Sequence, residues 1–340
     1  MNSWICDYRR QWVENIDRVS IVTLNFFSNM EEPHKMKYYY FNPFSRHFYF
    51  PEEFYKYPIF ATFYEPYKVS AKLLWKMWLT SSVFRNLFST NRPEEFLPLG
   101  VIKQYVTPSS IIAFNIGKGG VEQKFSILGV DTKTNSSFFI KYATTNHACD
   151  NICNEATVLK QLSHLEFVPK LDLYVNEDRK FALLKTTVLH GTKIKPQPIN
   201  DNMLNILYDL SIQEVQSNKN YDSNLQTCFS HGDFCPWNML INNEKILLFD
   251  WEMAGKYPLG YDIFSYIFQF EFLVNENVEF DQILKGNSVA IGKYFNRFAI
   301  EDWKPYLQCF ANLLYEIELE RKDKNQIKPY LQLKEFAAQI

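Results

Sequence analysis

The sequence predicts an α+β fold in which an antiparallel sheet with one helix precedes a mainly helical C-terminal part. Between residues 100 and 190, five short β-prone segments alternate with turns, and one amphipathic helix interrupts them. After residue 262, apolar residues recur at helical spacing through four long segments. An extra aromatic-rich region precedes both parts.

Charge and cysteine usage favour a cytoplasmic enzyme. The 36 basic and 38 acidic side chains nearly balance, so a general nucleic-acid binder is not expected. The six cysteines are scattered without a disulfide-like framework, as in a reducing compartment. The first twelve residues lack the apolar core of a signal peptide, and no uninterrupted apolar run reaches about 18 residues. Neither a signal peptide nor a spanning helix is therefore expected.

Three regions are predicted along the chain: an accessory region at 1–98, a sheet-containing lobe at 99–190 and a helical lobe at 191–340. The accessory region is dense in Tyr and Phe, and its prolines favour short strands and turns over long helices. Aromatic side chains at this density could stack on bases or sugars. Packing in a small core is the favoured interpretation, because Tyr and Phe most often serve that role.

An amphipathic helix is predicted near the end of the accessory region, over Ser70–Ser89. Its apolar residues recur at helical spacing, and Lys72, Lys76 and Arg85 supply cations. Such a helix could lie on a membrane surface as a peripheral contact, or could meet a second subunit. Packing against the rest of the chain is favoured, because an apolar stripe is the usual sign of a half-buried helix. The oligomeric state stays open.

Five strands and one helix are predicted in the sheet-containing lobe. The strands are Ile111–Asn115, Val121–Val130, Phe138–Ala143, Leu171–Val175 and Lys180–Lys185, and the helix is Asn151–Leu162. Gly117, Gly119 and Gly120 lie between the first two strands, where glycine lets backbone amides approach phosphate oxygens. By itself this loop is weak evidence, since ordinary hairpins use glycine in the same way.

The most informative stretch brings three polar side chains into one short segment. Asp233 ends the sequence His-Gly-Asp, Asn238 lies five residues on, and Asp250 ends an apolar run. Two strands joined by a turn near Glu244 are predicted between Asn238 and Asp250. A hairpin symmetric about Glu244 places Asn238 opposite Asp250, about 4.5–5.5 Å away, so that both could hold one magnesium ion. Asp233 remains as the candidate base.

The motifs HGDFCPWN and FDWE resemble the catalytic and metal loops of the aminoglycoside phosphotransferase and choline kinase family. The similarity is to bacterial members with a Pro-Trp-Asn catalytic loop, which are often associated with surface-glycan synthesis, and it covers roughly residues 100 to 340. It implies a protein-kinase-like two-lobe fold, with ATP as phosphoryl donor and a small-molecule hydroxyl as acceptor. It does not account for the first hundred residues.

The resemblance also implies roles for individual residues of Ser230–Asp262, which we call the catalytic segment. Asp233 would be the catalytic base, and Asn238 and Asp250 would hold Mg²⁺. Glu252 is a further candidate, acting through a metal-bound water. His231 is expected to hold the loop by backbone hydrogen bonds, and Asp262 is expected to brace the same loop.

Donor binding is assigned by the same resemblance to residues of the sheet-containing lobe. Lys141, in the strand FFIKYA, would bind donor phosphates with the help of Glu155 on the following helix. Thr187 and Val188 fall where the two lobes of the family join, and their backbone groups could bind adenine. The alternative is that Glu155 is an exposed helical glutamate and Lys141 an ordinary strand lysine, with no role in donor binding.

The acceptor is the least defined part of the prediction. Residues 253–340 contain 12 acidic and 10 basic side chains, so the helical lobe is not strongly acidic, which disfavours polycationic aminoglycosides. A sugar or glycan-pathway intermediate is expected, because Trp251, Tyr257, Tyr261, Trp303 and Tyr306 could stack on sugar rings. The same aromatics could cage choline, or could simply be core residues.

Two other function classes are alternatives for the whole chain. A protein kinase would share the chemistry, but His-Arg-Asp, Asp-Phe-Gly and Ala-Pro-Glu are absent from the sequence. A non-catalytic binding module could keep the fold as a scaffold. The presence of Lys141, Asp233, Asn238 and Asp250 argues against that class.

Overall fold

The structure is a computed structural model with two compact units. It describes residues 21–24, 36–41, 47–64, 66, 69–87, 98–117, 119–177, 180–221, 223–274, 278–320 and 327–340. The first unit combines Met1–Ile152 with Asp172–Val188, and the second combines Cys153–Leu171 with Leu189–Ile340. The helix Asn146–Gln161 begins in the first unit, and its later turns belong to the second.

The first unit is built on one eight-stranded sheet with the strand order β1-β2-β3-β4-β5-β6-β8-β7. Its strands are β1 (Ile21–Leu24), β2 (Met36–Phe41), β3 (His47–Pro51), β4 (Ser110–Ile116), β5 (Lys124–Asp131), β6 (Ser136–Ala143), β7 (Leu171–Glu177) and β8 (Phe181–Thr187). From β1 to β6, and between β6 and β8, neighbouring strands pair antiparallel.

All five predicted strands are present, and three further strands extend the sheet. β3 pairs with β4 through His47 and Ile116, so strands from before residue 99 continue the sheet of the following lobe. The second predicted strand begins at Lys124 rather than at Val121. The chain still turns at that point, because Gly120 has a φ of 120° and the N–H of Gln123 donates to its carbonyl.

Most of the described aromatic side chains of the accessory region pack into a core, as predicted. Phe50 and Phe60 are fully buried, and Trp75 stacks on Trp78 with ring centroids 5.0 Å apart. Together with Phe54 they form one apolar cluster on the sheet. Aromatic pairs in such geometries stabilise a core beyond their buried area, which explains why this short region holds its strands.

The predicted helix Ser70–Ser89 is two helices, Val69–Thr80 and Ser82–Leu87, interrupted at Ser81. Arg85 stabilises the interruption, because its Nη1 donates to the carbonyl oxygens of Trp78 and Leu79, both at 2.8 Å. These carbonyls end a helix and have no intrahelical donor. Residues 88 and 89 of the predicted helix lie outside the described residues, as do residues 1–20.

The second unit is mainly helical. Its helices are Asp201–Ser211, Tyr261–Val274, Phe280–Asn296, Lys304–Glu320 and Ile327–Ala337. Its strands are β9 (Thr192–Lys193), β10 (Thr227–Ser230), β11 (Met239–Asn242), β12 (Lys245–Leu248) and β13 (Gly255–Pro258). They form a three-stranded sheet, β12-β11-β9, and a β10-β13 pair. The predicted α+β architecture, with an antiparallel sheet followed by a helical part, is confirmed.

Among the helices that the structure describes, none combines the length and the apolar character needed to cross a bilayer. The four segments after residue 262 that the sequence predicts to be helical are helices in the structure. The helix Tyr261–Val274 is the most apolar of them, and Ile263, Phe264 and Phe268 on it are fully buried. It therefore forms the centre of the unit and supplies a rigid base for the catalytic segment.

Candidate active site

The hairpin of the catalytic segment closes with a two-residue turn. Asn242 pairs with Lys245, and Asn243 and Glu244 between them have φ values of 48° and 68°. Two successive left-handed residues match the right-handed twist of the flanking strands, which is why such turns are favoured in hairpins. The centre of the hairpin therefore lies between Asn243 and Glu244, half a residue before the predicted centre.

This register corrects the predicted pairing of Asn238 with Asp250. The N–H of Phe249 donates to the carbonyl oxygen of Asn238 at 3.1 Å, so Phe249 is the residue opposite Asn238. Asp250 lies one position beyond the ladder and adopts a left-handed conformation, with φ 68° and ψ 62°. A residue other than glycine held in that region costs on the order of 1–3 kcal/mol, and such residues concentrate at functional sites.

Asp233 and Asn238 are joined by two hydrogen bonds. Nδ2 of Asn238 donates to Oδ2 of Asp233 at 2.7 Å and to the Asp233 carbonyl at 3.0 Å. The amide nitrogen is thereby directed at Asp233, which leaves Oδ1 of Asn238 as the atom that can ligate a cation. Asn238 is buried and Asp233 is partly buried, so the amide holds the carboxyl in place.

The surroundings of Asp233 favour its protonated form more than water does. Burial raises the pKa of the Asp233 carboxyl, and the negative charge of Asp250 raises it further. Hydrogen bonds from Cys235, Asn238 and Trp237 act in the opposite direction. Sγ of Cys235 also lies 2.7 Å from Oε1 of Gln269 on the helix Tyr261–Val274, which ties the loop to that helix. A base with a raised pKa accepts a proton more readily.

His231 holds the loop, as predicted, and is fully buried. Its Nε2 lies 3.1 Å from the carbonyl oxygen of Phe249, and its Nδ1 accepts the N–H of Asp233 at 3.3 Å. A carbonyl can only accept, so Nε2 carries the proton and the ring is neutral. The ring also packs against Trp251, with centroids 4.5 Å apart. The imidazole thereby links the residues before and after the hairpin.

Asp262 braces the same loop from the start of the helix Tyr261–Val274. Its carboxylate accepts the backbone N–H groups of His231 at 2.6 Å and of Gly232 at 3.0 Å. Gly232 has a φ of 79°, and a Cβ there would lie 2.1 Å from the carbonyl oxygen of Met253. The turn before Asp233 is therefore set both by a carboxylate and by a close approach of two backbones.

Three carboxylates of the second unit form a cluster. One oxygen each of Glu155, Asp250 and Glu252 lie within 4.8 Å of one another. Glu155 is 2% exposed, and its Oε1 accepts the N–H of Trp251 at 3.4 Å. The sequence linked Glu155 to a lysine, but gave no sign that it would also lie beside Asp250.

Asn154 is a supporting residue that the sequence reasoning missed. It is 1% exposed, and its Nδ2 donates to the carbonyl oxygens of Glu252 and Ala254 at 3.1 and 2.8 Å. Its Oδ1 accepts from Ser217 at 2.9 Å and from the N–H of Asn218 at 3.0 Å. A helical asparagine beside a glutamate carries no sequence signal for this role, because both contacts come from distant segments.

The candidate donor-binding residues lie in the first unit. Gly117 pairs its N–H with the Lys124 carbonyl at 3.0 Å, and a Cβ on Gly117 would lie 2.7 Å from that oxygen. A Cβ on Gly119 would meet no atom within 4 Å. Gly120 has the positive φ given above. Lys118, between them, lies outside the described residues.

Lys141 is central in the sheet of the first unit and 6% exposed. It lies between Ser126 on β5 and Leu184 on β8. Thr187 ends β8 and is exposed, and Val188 packs at the edge of the aromatic cluster. The positions of Lys141, Thr187 and Val188 do not test the roles assigned to them, which stay predictions.

The aromatic residues expected to stack on an acceptor are mostly core residues. Trp251 and Tyr257 have no exposed surface, and Tyr261 and Tyr306 are 3% and 7% exposed. Tyr257 packs against Tyr261 with centroids 4.2 Å apart, and its hydroxyl donates to the Met253 carbonyl. Side chains closed off in this way cannot stack on a sugar or cage a quaternary ammonium group. The stacking argument is therefore wrong for these four.

A candidate base held by an amide, with carboxylates nearby that can hold a cation, is an arrangement that phosphoryl transfer could use. Residues 207–285 match the family model described as the APH phosphotransferase enzyme family. The match covers both motifs of the catalytic segment, and it confirms the predicted resemblance and the predicted phosphotransferase class. No curated protein matches the sequence.

Solved structures of small-molecule kinases are similar to this chain at low identity. An amicoumacin kinase in complex with AMP-PNP, Ca²⁺ and Ami is 13% identical, with 71% of this chain and 93% of that chain covered and a TM-score of 0.49. A Plasmodium vivax ethanolamine kinase is 12% identical, with 81% and 95% covered and a TM-score of 0.45. The aminoglycoside phosphotransferase APH(4)-Ia is 7% identical, with 71% and 97% covered and a TM-score of 0.49.

Proposed function

We propose that this chain transfers the γ-phosphoryl group of ATP to a hydroxyl group of a small molecule, with Mg²⁺ as the cation. The observation that carries the proposal is the bond between Asn238 and Asp233 within the segment that matches the phosphotransferase family. One residue of this pair can take a proton while the other can hold a cation. Phosphoryl transfer needs little else beyond positioning and charge neutralisation.

Asp233 is assigned the role of base in this reaction. Its carboxylate would accept a hydrogen bond from the acceptor hydroxyl, orient the oxygen and take its proton. The hydrogen bond from Asn238 fixes the carboxylate, and the backbone bonds of Asp262 to residues 231 and 232 fix the turn that carries it. Burial raises the pKa of the Asp233 carboxyl above its ordinary value, which matches a group that must gain a proton.

The residues present fit a magnesium ion. Carboxylate and amide oxygens are the ligands that this cation prefers, and it usually takes only one or two from the protein. Asp250 and Oδ1 of Asn238 would supply them, and Glu252 lies in the same carboxylate cluster. When bound, the cation would neutralise charge on the donor phosphates. Glu155, in that cluster, would add negative charge that strengthens cation binding.

Donor binding is assigned to Gly117, Gly119, Gly120 and Lys141 of the first unit. The turn has one glycine with positive φ and another whose backbone approaches Lys124, so its amides can be presented without side chains. We assign Lys141, a buried lysine in the middle of the sheet, to the donor phosphates, as the motif resemblance implies. The adenine would meet the backbone at residues 187 and 188.

For the acceptor we propose a neutral or modestly charged polyhydroxyl compound, a sugar or glycan-pathway intermediate. The aromatic residues support a sugar acceptor less than the sequence suggested, because four of the five are buried. What remains is the near balance of 12 acidic and 10 basic residues over 253–340 and the Pro-Trp-Asn loop. Choline, ethanolamine and aminoglycosides are the second candidates, the latter two as named for the similar structures.

An acceptor screen tests both the phosphoryl-transfer activity and the choice of acceptor. The purified chain is incubated with ATP and Mg²⁺ and a panel of sugars, choline, ethanolamine and aminoglycosides, and ADP release and phosphorylated product are measured. Asp233→Asn serves as the inactive control. Sugar phosphorylation above the level of that variant is the expected result. Turnover of choline, ethanolamine or aminoglycosides at kcat/KM above about 10⁴ M⁻¹s⁻¹ with none on sugars would overturn the acceptor. Absence of any product, with ATP bound, would favour a non-catalytic binding module.

A further inference from the structure

Asn154 is a side chain of the second unit whose hydrogen-bonding capacity is completely used. An asparagine side chain has two N–H donors and one oxygen with two lone pairs. Both donors of Asn154 go to backbone carbonyls of residues 251–254, the turn after Asp250, and both lone pairs accept from a segment before the catalytic segment. The partners are Glu252 and Ala254 on one side and Ser217 and Asn218 on the other. A side chain that is 1% exposed and bonded at all four positions is held in a single orientation.

The orientation of the Asn154 amide follows from these partners. A carbonyl oxygen can only accept, so the group that faces Glu252 and Ala254 is the NH₂. A backbone N–H can only donate, so the group that faces Asn218 is the oxygen. A flipped amide would place Oδ1 against two carbonyl oxygens. Asn154 therefore recognises the backbone of the turn after Asp250 and not its side chains.

The turn that Asn154 contacts begins directly after a strained residue. Asp250 has φ 68° and ψ 62°, and the short helix Trp251–Met253 follows it. Strain of this kind persists only where the surroundings over-determine the conformation. Two successive residues of the helix Asn146–Gln161 supply contacts that do so. Oε1 of Glu155 accepts the N–H of Trp251 at 3.4 Å, and Asn154 donates to two carbonyls of the same turn.

A second segment of the same unit lies against this turn. Oγ of Ser217 is 2.7 Å from the carbonyl oxygen of Ala254. A Cβ on Gly255 would lie 2.2 Å from the Lys219 carbonyl oxygen, so the two backbones approach each other closely. Because Asn154 is hydrogen-bonded to both segments, it links the helix, the turn and residues 217–219 at one point.

We propose that Asn154 is a positioning residue for the cation site. It holds the backbone after Asp250, so that the carboxylates of Asp250 and Glu252 are in place before Mg²⁺ binds. The inference rests on the proposed function, since the cation and its ligands are assigned there. Asn154 acts through backbone carbonyls and is not assigned as a ligand. A site whose ligands are ordered in advance loses less free energy to ordering on binding.

The test measures how much Mg²⁺ strengthens the binding of AMP-PNP, an ATP analogue, by calorimetry with Mg²⁺ and with EDTA. The ratio of the two affinities separates the contribution of the cation from that of the other nucleotide contacts. Asn154→Ala should lower this ratio at least about tenfold, the usual effect of removing a group that orients metal ligands. The affinity in EDTA should stay within about threefold, because no nucleotide contact is assigned to this turn.

Ser217→Ala is a milder second variant. It removes one of the two hydrogen bonds to Oδ1 of Asn154 and leaves both donors of the amide in place. The loss of one neutral hydrogen bond should lower the ratio by about two- to threefold. Thermal unfolding shows which variants are folded, and the ratio is compared among those.

The matched control is Gln161→Ala. Gln161 lies on the same helix, and its amide exchanges two hydrogen bonds of 2.9 Å with the backbone of Gln216. It therefore ties the same helix to the residue before Ser217, but through that segment and not through the carbonyls after Asp250. Its loss should leave the ratio within about twofold, since a hydrogen bond at the surface contributes little.

An unchanged ratio in folded Asn154→Ala, or an equal loss in Gln161→Ala, would overturn the proposal, because the turn would then be held without this side chain or the effect would be a general one. If Asn154→Ala does not fold, an unchanged ratio in Ser217→Ala overturns it in the same way. Wild-type nucleotide affinity that does not depend on Mg²⁺ would instead overturn the proposed cation site, and this inference with it.

Discussion

The carboxylate of Asp262 accepts the backbone N–H groups of both His231 and Gly232, and it does so while fully enclosed by protein. Burial raises the pKa of this carboxyl to about 7, although the two backbone donors act to lower it. The residue that braces the catalytic turn therefore changes charge near neutral pH. The stability of the protein and the geometry around Asp233 therefore both depend on the titration of the Asp262 carboxyl.

The first prediction concerns stability against pH. A carboxyl whose folded-state pKa is about 7, against 3.8 for the ordinary group, binds more protons folded than unfolded between these values. Its stabilising contribution is complete below about pH 4 and is lost as the pH rises through about 7. The difference in unfolding free energy between wild type and Asp262→Asn should therefore fall with rising pH, by at most about 1.4 kcal/mol per unit.

Urea unfolding of both proteins at pH 5, 6, 7 and 8 measures this difference, and the contributions of other groups cancel in it. Parallel stability profiles for the two proteins would show that Asp262 titrates in its ordinary range. The same variant should lower phosphoryl transfer more than it lowers nucleotide affinity, because Asp262 touches the turn before Asp233 and not the donor.

The second prediction is that Asp233→Asn abolishes phosphoryl transfer while nucleotide affinity stays within about three-fold. The substitution keeps the shape of the side chain and removes the proton acceptor, and general bases typically contribute about 10²–10⁴-fold to rate. Steady-state kinetics and calorimetric nucleotide titrations measure the two effects. Asp209→Asn, an exposed change on the helix Asp201–Ser211, is the control and should be neutral. Full activity of Asp233→Asn would remove this residue from the chemistry.

The third prediction separates the carboxylates of the cluster. Asp250→Ala should eliminate the part of nucleotide affinity that depends on Mg²⁺, because a site with about two protein ligands cannot lose one and keep the ion. Glu252→Gln should have a smaller effect, since its assigned role runs through a bound water. Calorimetry with Mg²⁺ and with EDTA gives the comparison. Equal Mg²⁺ dependence in wild type and Asp250→Ala would locate the cation elsewhere.

The fourth prediction concerns the donor. Lys141→Ala should raise the KM for ATP about tenfold or more and leave the KM for the acceptor within about three-fold, because hydrogen bonds between charged groups are the stronger ones. Lys185→Ala is the control, since Lys185 lies in the neighbouring strand and is paired with Asp172 at 2.8 Å. An effect confined to the KM of the acceptor would show that FFIKYA is an ordinary strand.

The sequence predicted elements better than it predicted contacts. Strand and helix periodicities located the five strands of the lobe and the helices after residue 262, because those patterns are local. The pairing of Asn238 with Phe249 depends on whether the turn has two residues or three, which Asn242-Asn243-Glu244 alone does not decide. That difference of one residue changes which side chain lies opposite Asn238, the proposed metal ligand.

Contacts between distant segments escaped the sequence for a different reason. Glu155 and Asp250 are 95 residues apart, and nothing in either motif shows that their carboxylates meet. The burial of Trp251 and Tyr257 was also unpredictable, because an aromatic residue beside a functional loop has the same letters whether it faces the core or a ligand. The charge balance and the family motifs, by contrast, could be obtained from the residues alone.

The last prediction tests the backbone approach that shapes the catalytic turn. Gly232→Ala should destabilise the protein by at least about 2 kcal/mol, because the left-handed region alone costs a side chain roughly 1–2 kcal/mol and its Cβ would also collide with the Met253 carbonyl. Gly286→Ala is the matched control: it lies inside the helix Phe280–Asn296, and its Cβ would meet no atom within 4 Å. This control should stabilise by about 0.5–1 kcal/mol, since alanine is the better helix former. Urea unfolding measures both, and a Gly232→Ala protein as stable as wild type would show that the turn before Asp233 can move away from Met253.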